Sequence, residues 1–145
     1  MDTPLVSTVI RTGFSSPRGF TWYNGSLLVC NRHYISRVAW SSNGAVTNSK
    51  LTTTTSYGYR DRGFSIARFY NPYEIQQLRD ELFLIADYNN KKLRLLNMYE
   101  NKVLPVCVGS SCSTGTSLSD YPSSLLITND TVYVGGSSKI LTLTG

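Results

Sequence analysis

Few residues in this chain are of types able to do covalent or acid–base chemistry. There is one histidine, His33, and there are three cysteines, Cys30, Cys107 and Cys112. A metal site built on Cys107 and Cys112 would need two more ligands, and only Cys30 and His33 could supply nitrogen or sulfur. The spacer Val108-Gly109-Ser110-Ser111 lets the chain curl back on itself, so a Cys107–Cys112 disulfide is the expectation, with two free thiols as its rival. Cys30 falls in an apolar run and reads as a small buried residue. The carboxylates Asp61, Asp80, Glu81 and Asp87 belong to no nucleophile motif, phosphate loop or zinc helix. No catalytic residue, metal site or cofactor is therefore expected, and the chain is read as not an enzyme.

Two acceptor triplets for N-linked sugar occur, Asn24-Gly25-Ser26 and Asn129-Asp130-Thr131. Such triplets arise by chance, and Asn is favoured in turns in any case. Their value lies in their placement at equivalent turns, described below. The run Thr52-Thr53-Thr54-Thr55-Ser56 could carry O-linked sugars or form a plain polar loop. Sequons and a disulfide together point to an oxidising, glycosylating compartment, so an extracellular or cell-surface location is expected.

Composition narrows the class of fold. Charged residues make up 16% of the 145, against the usual quarter, and Tyr, Ser, Thr and Gly fill the difference. Thr and the aromatics favour strands while Gly, Asn and Ser favour turns, so the chain leans all-β. The net charge of +5 is spread without a run, and Lys91-Lys92 with Arg94 is its densest group. Scattered charge argues against a nucleic-acid partner, which usually demands a patch. No stretch reaches the roughly 18–20 apolar residues of a membrane helix. The start, Met1-Asp2-Thr3-Pro4, lacks the layout of a secretory signal, so a secreted form would be a processed or partial chain.

The elements that must carry these residues come in three copies. Each begins at a proline (Pro17, Pro72, Pro122), and each runs through a strand and a short turn into an apolar second strand. These second strands are Ser26-Leu27-Leu28-Val29-Cys30-Asn31, Leu82-Phe83-Leu84-Ile85-Ala86-Asp87 and Thr131-Val132-Tyr133-Val134-Gly135-Gly136. Third strands follow at 34–40, 92–98 and 139–143, and fourth strands at 44–47 and 101–109. The leader 5–13 looks like one more strand, placed to complete the last copy, which lacks its own. Glu74 to Leu84 also fits a helical face, but the aligned turns at Asn24-Gly25 and Asn129-Asp130 favour strand-turn-strand.

The middle copy resembles an NHL repeat: Gly63-Phe64, Ala67-Arg68-Phe69-Tyr70-Asn71-Pro72, Ile75, and Leu82 to Asp87 followed by Tyr88-Asn89-Asn90-Lys91-Lys92-Leu93-Arg94. The first copy keeps Phe14, Pro17 and Gly19 and has Cys30-Asn31 in place of Ala-Asp; the third has Gly135-Gly136 there. The resemblance implies one β-propeller-like domain over 1–145, built of four-stranded antiparallel blades. Blade 1 is expected at about 14–56, blade 2 at about 63–109 and blade 3 at about 117–145. The copies stand 50–55 residues apart, longer than the usual 40–45, which implies extended loops at 52–62 and 110–120.

Three blades do not close a ring, which usually needs four to eight, and their two open faces would expose apolar side chains. Self-association into a ring or a head-to-tail filament, or membership of a longer chain, follows. The expected function is a non-enzymatic extracellular structural or adhesive scaffold whose partners are proteins or further copies. Two alternatives remain. One is an RNA-binding NHL propeller using Arg32, Arg37, Lys91, Lys92 and Arg94 with Tyr34 and Tyr88. The other is a propeller lyase or hydrolase, for which the chain lacks the several histidines such a metal centre requires.

Overall fold

The computed structural model describes residues 7–109 and 112–144. Within them the chain is all-β, and it is built from three antiparallel sheets that follow one another along the sequence. The first contains β1 (Pro17–Tyr23), β2 (Ser26–Asn31), β3 (Tyr34–Trp40) and β4 (Val46–Lys50) in sequence order. The second contains β5 (Arg62–Gly63), β6 (Pro72–Arg79), β7 (Leu82–Asp87), β8 (Lys92–Asn97) and β9 (Lys102–Pro105), ordered β5-β9-β8-β7-β6. The third contains β10 (Ser124–Ile127), β11 (Thr131–Gly135) and β12 (Ile140–Thr144).

The strand-turn-strand expectation for Glu74 to Leu84 holds, with Arg79 paired to Leu82 across the turn. Three expectations need correction. Only the first sheet has the expected four strands: the short β5 adds a fifth to the second, and the third has three. The fourth strand of the middle copy stops at Pro105 rather than running to Gly109, because the chain then turns into the disulfide loop. The expected leader strand at 5–13 does not form over 7–13, and Leu5 and Val6 lie outside the described residues. Instead Val9, Ile10 and Phe14 settle beside Leu27, Val29 and Val38 on the first sheet. The carbonyl of Gly13 accepts from the Asn31 amide, so the leader is held on the first sheet rather than the third.

Sheet order explains the unbroken apolar run of β7. Phe83 and Ile85 point to one side, where they meet Leu28, Cys30 and Ile35 of the first sheet and Phe64, Ala67 and Phe69 of the connecting segment. Leu84 and Ala86 point to the other and meet Leu125 and Val134 of the third sheet. A strand buried on both faces is apolar along its length, as β7 is from Leu82 to Ala86, whereas β12 alternates. Fully burying a side chain such as Phe83 stabilises by about 1.5–3 kcal/mol. The first strands stand side by side, with β6 packed between β1 and β10. A Cβ at Gly19 would sit 2.5 Å from the Tyr73 carbonyl oxygen, so β1 approaches β6 this closely only with glycine there.

Candidate functional site

In each sheet the chain enters at the same end, and there one buried polar side chain ties the incoming segment to the end of the second strand or to the turn that follows it. In the middle sheet it is Asp87, fully buried at the end of β7. Its Oδ1 accepts from the Tyr70 amide at 2.8 Å, and its Oδ2 accepts from Asn90 and from Arg94, each at 2.7 Å. Arg94, also fully buried, reaches Asp61 at 2.9 Å and the carbonyls of Arg60 and Arg68. It lies over Tyr59 and Phe69. Burial pushes the Asp87 carboxyl up, against the pull of Arg94. In the first sheet Asn31 takes this role: its Oδ1 accepts from the Ser15 and Ser16 amides and its Nδ2 donates to Gly13, Tyr34 and Ser36.

The third sheet reverses the arrangement. Gly136 stands where the acid would be, and the carboxylate sits on the incoming segment as Asp120, two residues before the proline, as Tyr70 is before Pro72. Asp120 Oδ2 accepts from the Ser138 amide at 2.8 Å and from the Lys139 amide at 3.2 Å. A Cβ at Gly136 would lie 2.5 Å from that oxygen, so the glycine makes room for the carboxylate. What reads in sequence as a degenerate copy is a reciprocal exchange of acid and backbone donor.

These amide bonds hold the Asp120 carboxyl down at about 2. A depressed carboxyl contributes stability that is full above the unfolded value of about 3.9 and is lost as pH falls toward its folded value. The protection of the Ser138 and Lys139 amides, relative to the intrinsic exchange rate at each pH, should therefore fall between about pH 4 and pH 2. Unchanged protection across that window would mean that Asp120 does not hold this turn.

With the acids turned inward, aromatic and basic side chains cover this end. Tyr73 and Tyr88 stack at 4.0 Å, Tyr121 leans on Tyr88 at 5.1 Å, Arg18 lies over Tyr73 and Lys91 over Tyr121. Beside this ladder is an open hollow of about 490 Å³ lined by Arg32, His33, Tyr34, Lys50, Ser56 and Tyr57 among others. Tyr57 stacks on Tyr70 at 4.6 Å, and His33 packs edge-on against both. His33 is largely buried, and its Nδ1 accepts from the Asn71 amide. Burial, helped by Arg32, lowers its pKa and favours the neutral ring. Arg32 and Lys91 both hold left-handed backbone, φ 55° and 51°, in the turns after β2 and β7. That conformation is uncommon for residues other than Gly, Asn or Asp.

The opposite end differs. Asn24 and Asn129 are exposed in the β1–β2 and β10–β11 turns, and Asp80, Glu81, Glu100 and Asp130 lie in the loops there. An apolar groove of about 650 Å³ opens between the second and third sheets near Asn129, lined by Leu84, Val106, Ile127 and Leu143 among others. Cys107 and Cys112 are disulfide-bonded in the loop after β9, with Cα atoms 5.6 Å apart. Cys30 is a buried free thiol whose pKa burial raises well above the ordinary value. Among the described residues no group of three His, Cys, Asp or Glu side chains could hold a metal, and no helix is long and apolar enough to cross a membrane.

Of the seven residues named for an RNA face, three remain at the surface of the basic end: Arg32, Lys91 and Lys92. Arg94 is buried in its ion pairs, Tyr34 is buried beneath Asn31, and Arg37 bonds Ser26 near the other end. Tyr88 is stacked on Tyr73. Sequence reading missed Arg18, Tyr73 and Tyr121, and the only signal for them is their placement next to Pro17, Pro72 and Pro122.

No family model matches the chain, and no curated protein matches it. Among solved structures, the chain is similar to one described as an auxiliary nutrient binding protein from Bacteroides thetaiotaomicron. The two share 15% identity at a TM-score of 0.60, over 81% of this chain and 35% of that one. This chain thus spans about a third of that structure's length, and the likeness is one of fold.

Proposed function

We propose that this chain is a non-enzymatic extracellular scaffold whose three sheets are NHL-like propeller blades, and that it works by packing against further blades. The observation that carries this reading is the state of the two outer faces. On the first sheet Phe20 and Trp22 are 61% and 59% exposed, and on the third Leu126 and Ile140 are 62% and 74% exposed. Large apolar side chains gathered on a sheet face mark an interaction surface. The Cys107–Cys112 disulfide and the sequons on exposed turns support an oxidising compartment. Among the described residues of the basic end the acids are engaged in structural bonds and His33 is packed among tyrosines, which fits a role other than acid–base catalysis.

A second copy of the chain supplies the missing blades in this reading, as a closed ring or a head-to-tail filament. Sedimentation should give a mass above that of the monomer, rising with concentration. Trp22→Asp or Leu126→Asp should return it to monomer, because an unpaired carboxylate in an apolar contact costs several kcal/mol. A wild-type chain that stays monomeric at every concentration, and sediments like both variants, would sink the assembly. One observation favours a second reading, in which the blades belong to one longer chain: the solved neighbour is nearly three times the matched length. Intact mass of the native-source protein separates the two.

A further inference from the structure

Among the described residues, the four acids near the basic end are all occupied. Asp61 and Asp87 hold Arg94, Asp120 holds the backbone of Ser138 and Lys139, and Glu74 is half-buried with its carboxylate on the Ile75 amide. The cations around them are not: among the described residues, the ion pairs are those of Arg94 and one between Lys102 and Glu100 at the far end. Arg18, Arg32, Lys50, Lys91 and Lys139 thus have no carboxylate partner, and neither does Lys92, which packs over Tyr59 and donates to the Thr114 carbonyl. Scattered in sequence, they share one end because β1, β3, β8 and β12 begin there and β4 ends there. Both sequons lie at the other end, so attached sugar would leave this one clear.

We propose that this end binds an acidic polysaccharide, one displaying sulfate or carboxylate groups along a hydroxyl-rich chain. Uncompensated cations on a low-charge protein attract a polyanion. The tyrosines decide between a glycan and a nucleic acid. A single-stranded nucleic acid needs free ring faces on which bases stack. Here Tyr73 and Tyr88 occupy each other's faces, Arg18 covers one end of the ladder and Lys91 the other, and Tyr57 and Tyr70 are paired. What the ladder offers a ligand is its guanidinium and ammonium groups and its tyrosine hydroxyls, which suit sulfate, carboxylate and sugar hydroxyls. Arg32 lines the hollow from left-handed backbone, and Lys91, above the ladder, holds the same conformation; such strain collects at functional positions.

The proposal is independent of how the outer faces are covered, and its test keeps the two apart. The intact, disulfide-bonded chain is titrated calorimetrically at low ionic strength with a heparin octasaccharide, its desulfated form, a hyaluronan fragment of equal length and oligouridylate. Binding to heparin or hyaluronan is expected, and the desulfated arm tells whether sulfate or carboxylate is read. Arg32→Asn with Lys50→Gln should weaken it about 10-fold and lower the salt slope by about two, and Lys91→Asn should lower the slope by about one. Asparagine tolerates the left-handed backbone, so the variants keep the fold. Arg79→Gln with Lys102→Gln, at the far end, should leave affinity unchanged. No binding to either glycan, equal loss from the far-end variant, or tighter binding of oligouridylate would each overturn the proposal. Sedimentation of the same samples reads assembly: a monomer that binds heparin defeats the scaffold assembly alone, and an assembly that ignores both glycans defeats this proposal alone.

Discussion

Asp87→Ala is expected to cost about 3–5 kcal/mol of unfolding free energy, the typical loss when one partner of a buried ion pair is removed. The substitution leaves the Arg94 guanidinium fully buried with Asp61 as its only carboxylate, and it also orphans the Tyr70 amide. Against a total stability of about 5–15 kcal/mol, that loss is large enough to populate the unfolded state. Asp87→Asn keeps the shape and should cost less, although its amide would meet the Arg94 donor. Urea titration followed by Trp22 and Trp40 fluorescence measures both. Arg94 also binds the carbonyls of Arg60 and Arg68, in the segment that carries Tyr57 and Tyr70, so Asp87→Ala should loosen the wall of the basic hollow too. A loss below about 1 kcal/mol would mean that the pair does not hold this sheet together.

Asn31→Asp should be nearly as damaging, by about 3 kcal/mol near neutral pH, and the reason is the contrast with Asp87. Asn31 is fully buried and uses both halves of its amide, accepting from Ser15 and Ser16 and donating to Gly13. A carboxylate there has no buried cation beside it and would face the Gly13 carbonyl, which offers no proton. Burial would raise its folded pKa above the unfolded 3.9. The sign follows: the penalty is fully present above that raised pKa and fades as pH falls toward 4, where the group enters the fold neutral. Unfolding titrations at pH 7.5 and pH 4.5 check this. A penalty equal at both would assign the loss to the missing Gly13 bond instead.

These two substitutions show why the middle copy is legible in sequence and the others less so. Ala86-Asp87 and Arg94 form a pair that is readable because both partners lie on adjacent strands a few residues apart. In the first copy an amide replaces the acid because no arginine faces it. In the third the acid has moved across the interface to Asp120, and Gly136 is its counterpart. Position-by-position comparison registers that as decay, although the incoming segment is still tied to the turn that follows the second strand.

The sequence by itself determined that the chain is all-β and where the first three strands of each copy run. Those are local matters of alternation, proline placement and turn chemistry, as in Asn24-Gly25 and the doubly buried run of β7. It also marked Cys107 and Cys112 as partners, since four intervening residues suffice to bring them together. Tertiary structure alone decided where the leader lies, because Val9, Ile10 and Phe14 could have covered any apolar face, and the first sheet's was nearest. It decided, too, that six cations distant in sequence share one end while the acids there turn inward. Charge acts through space, and its sum at a surface depends on which side chains the packing buries.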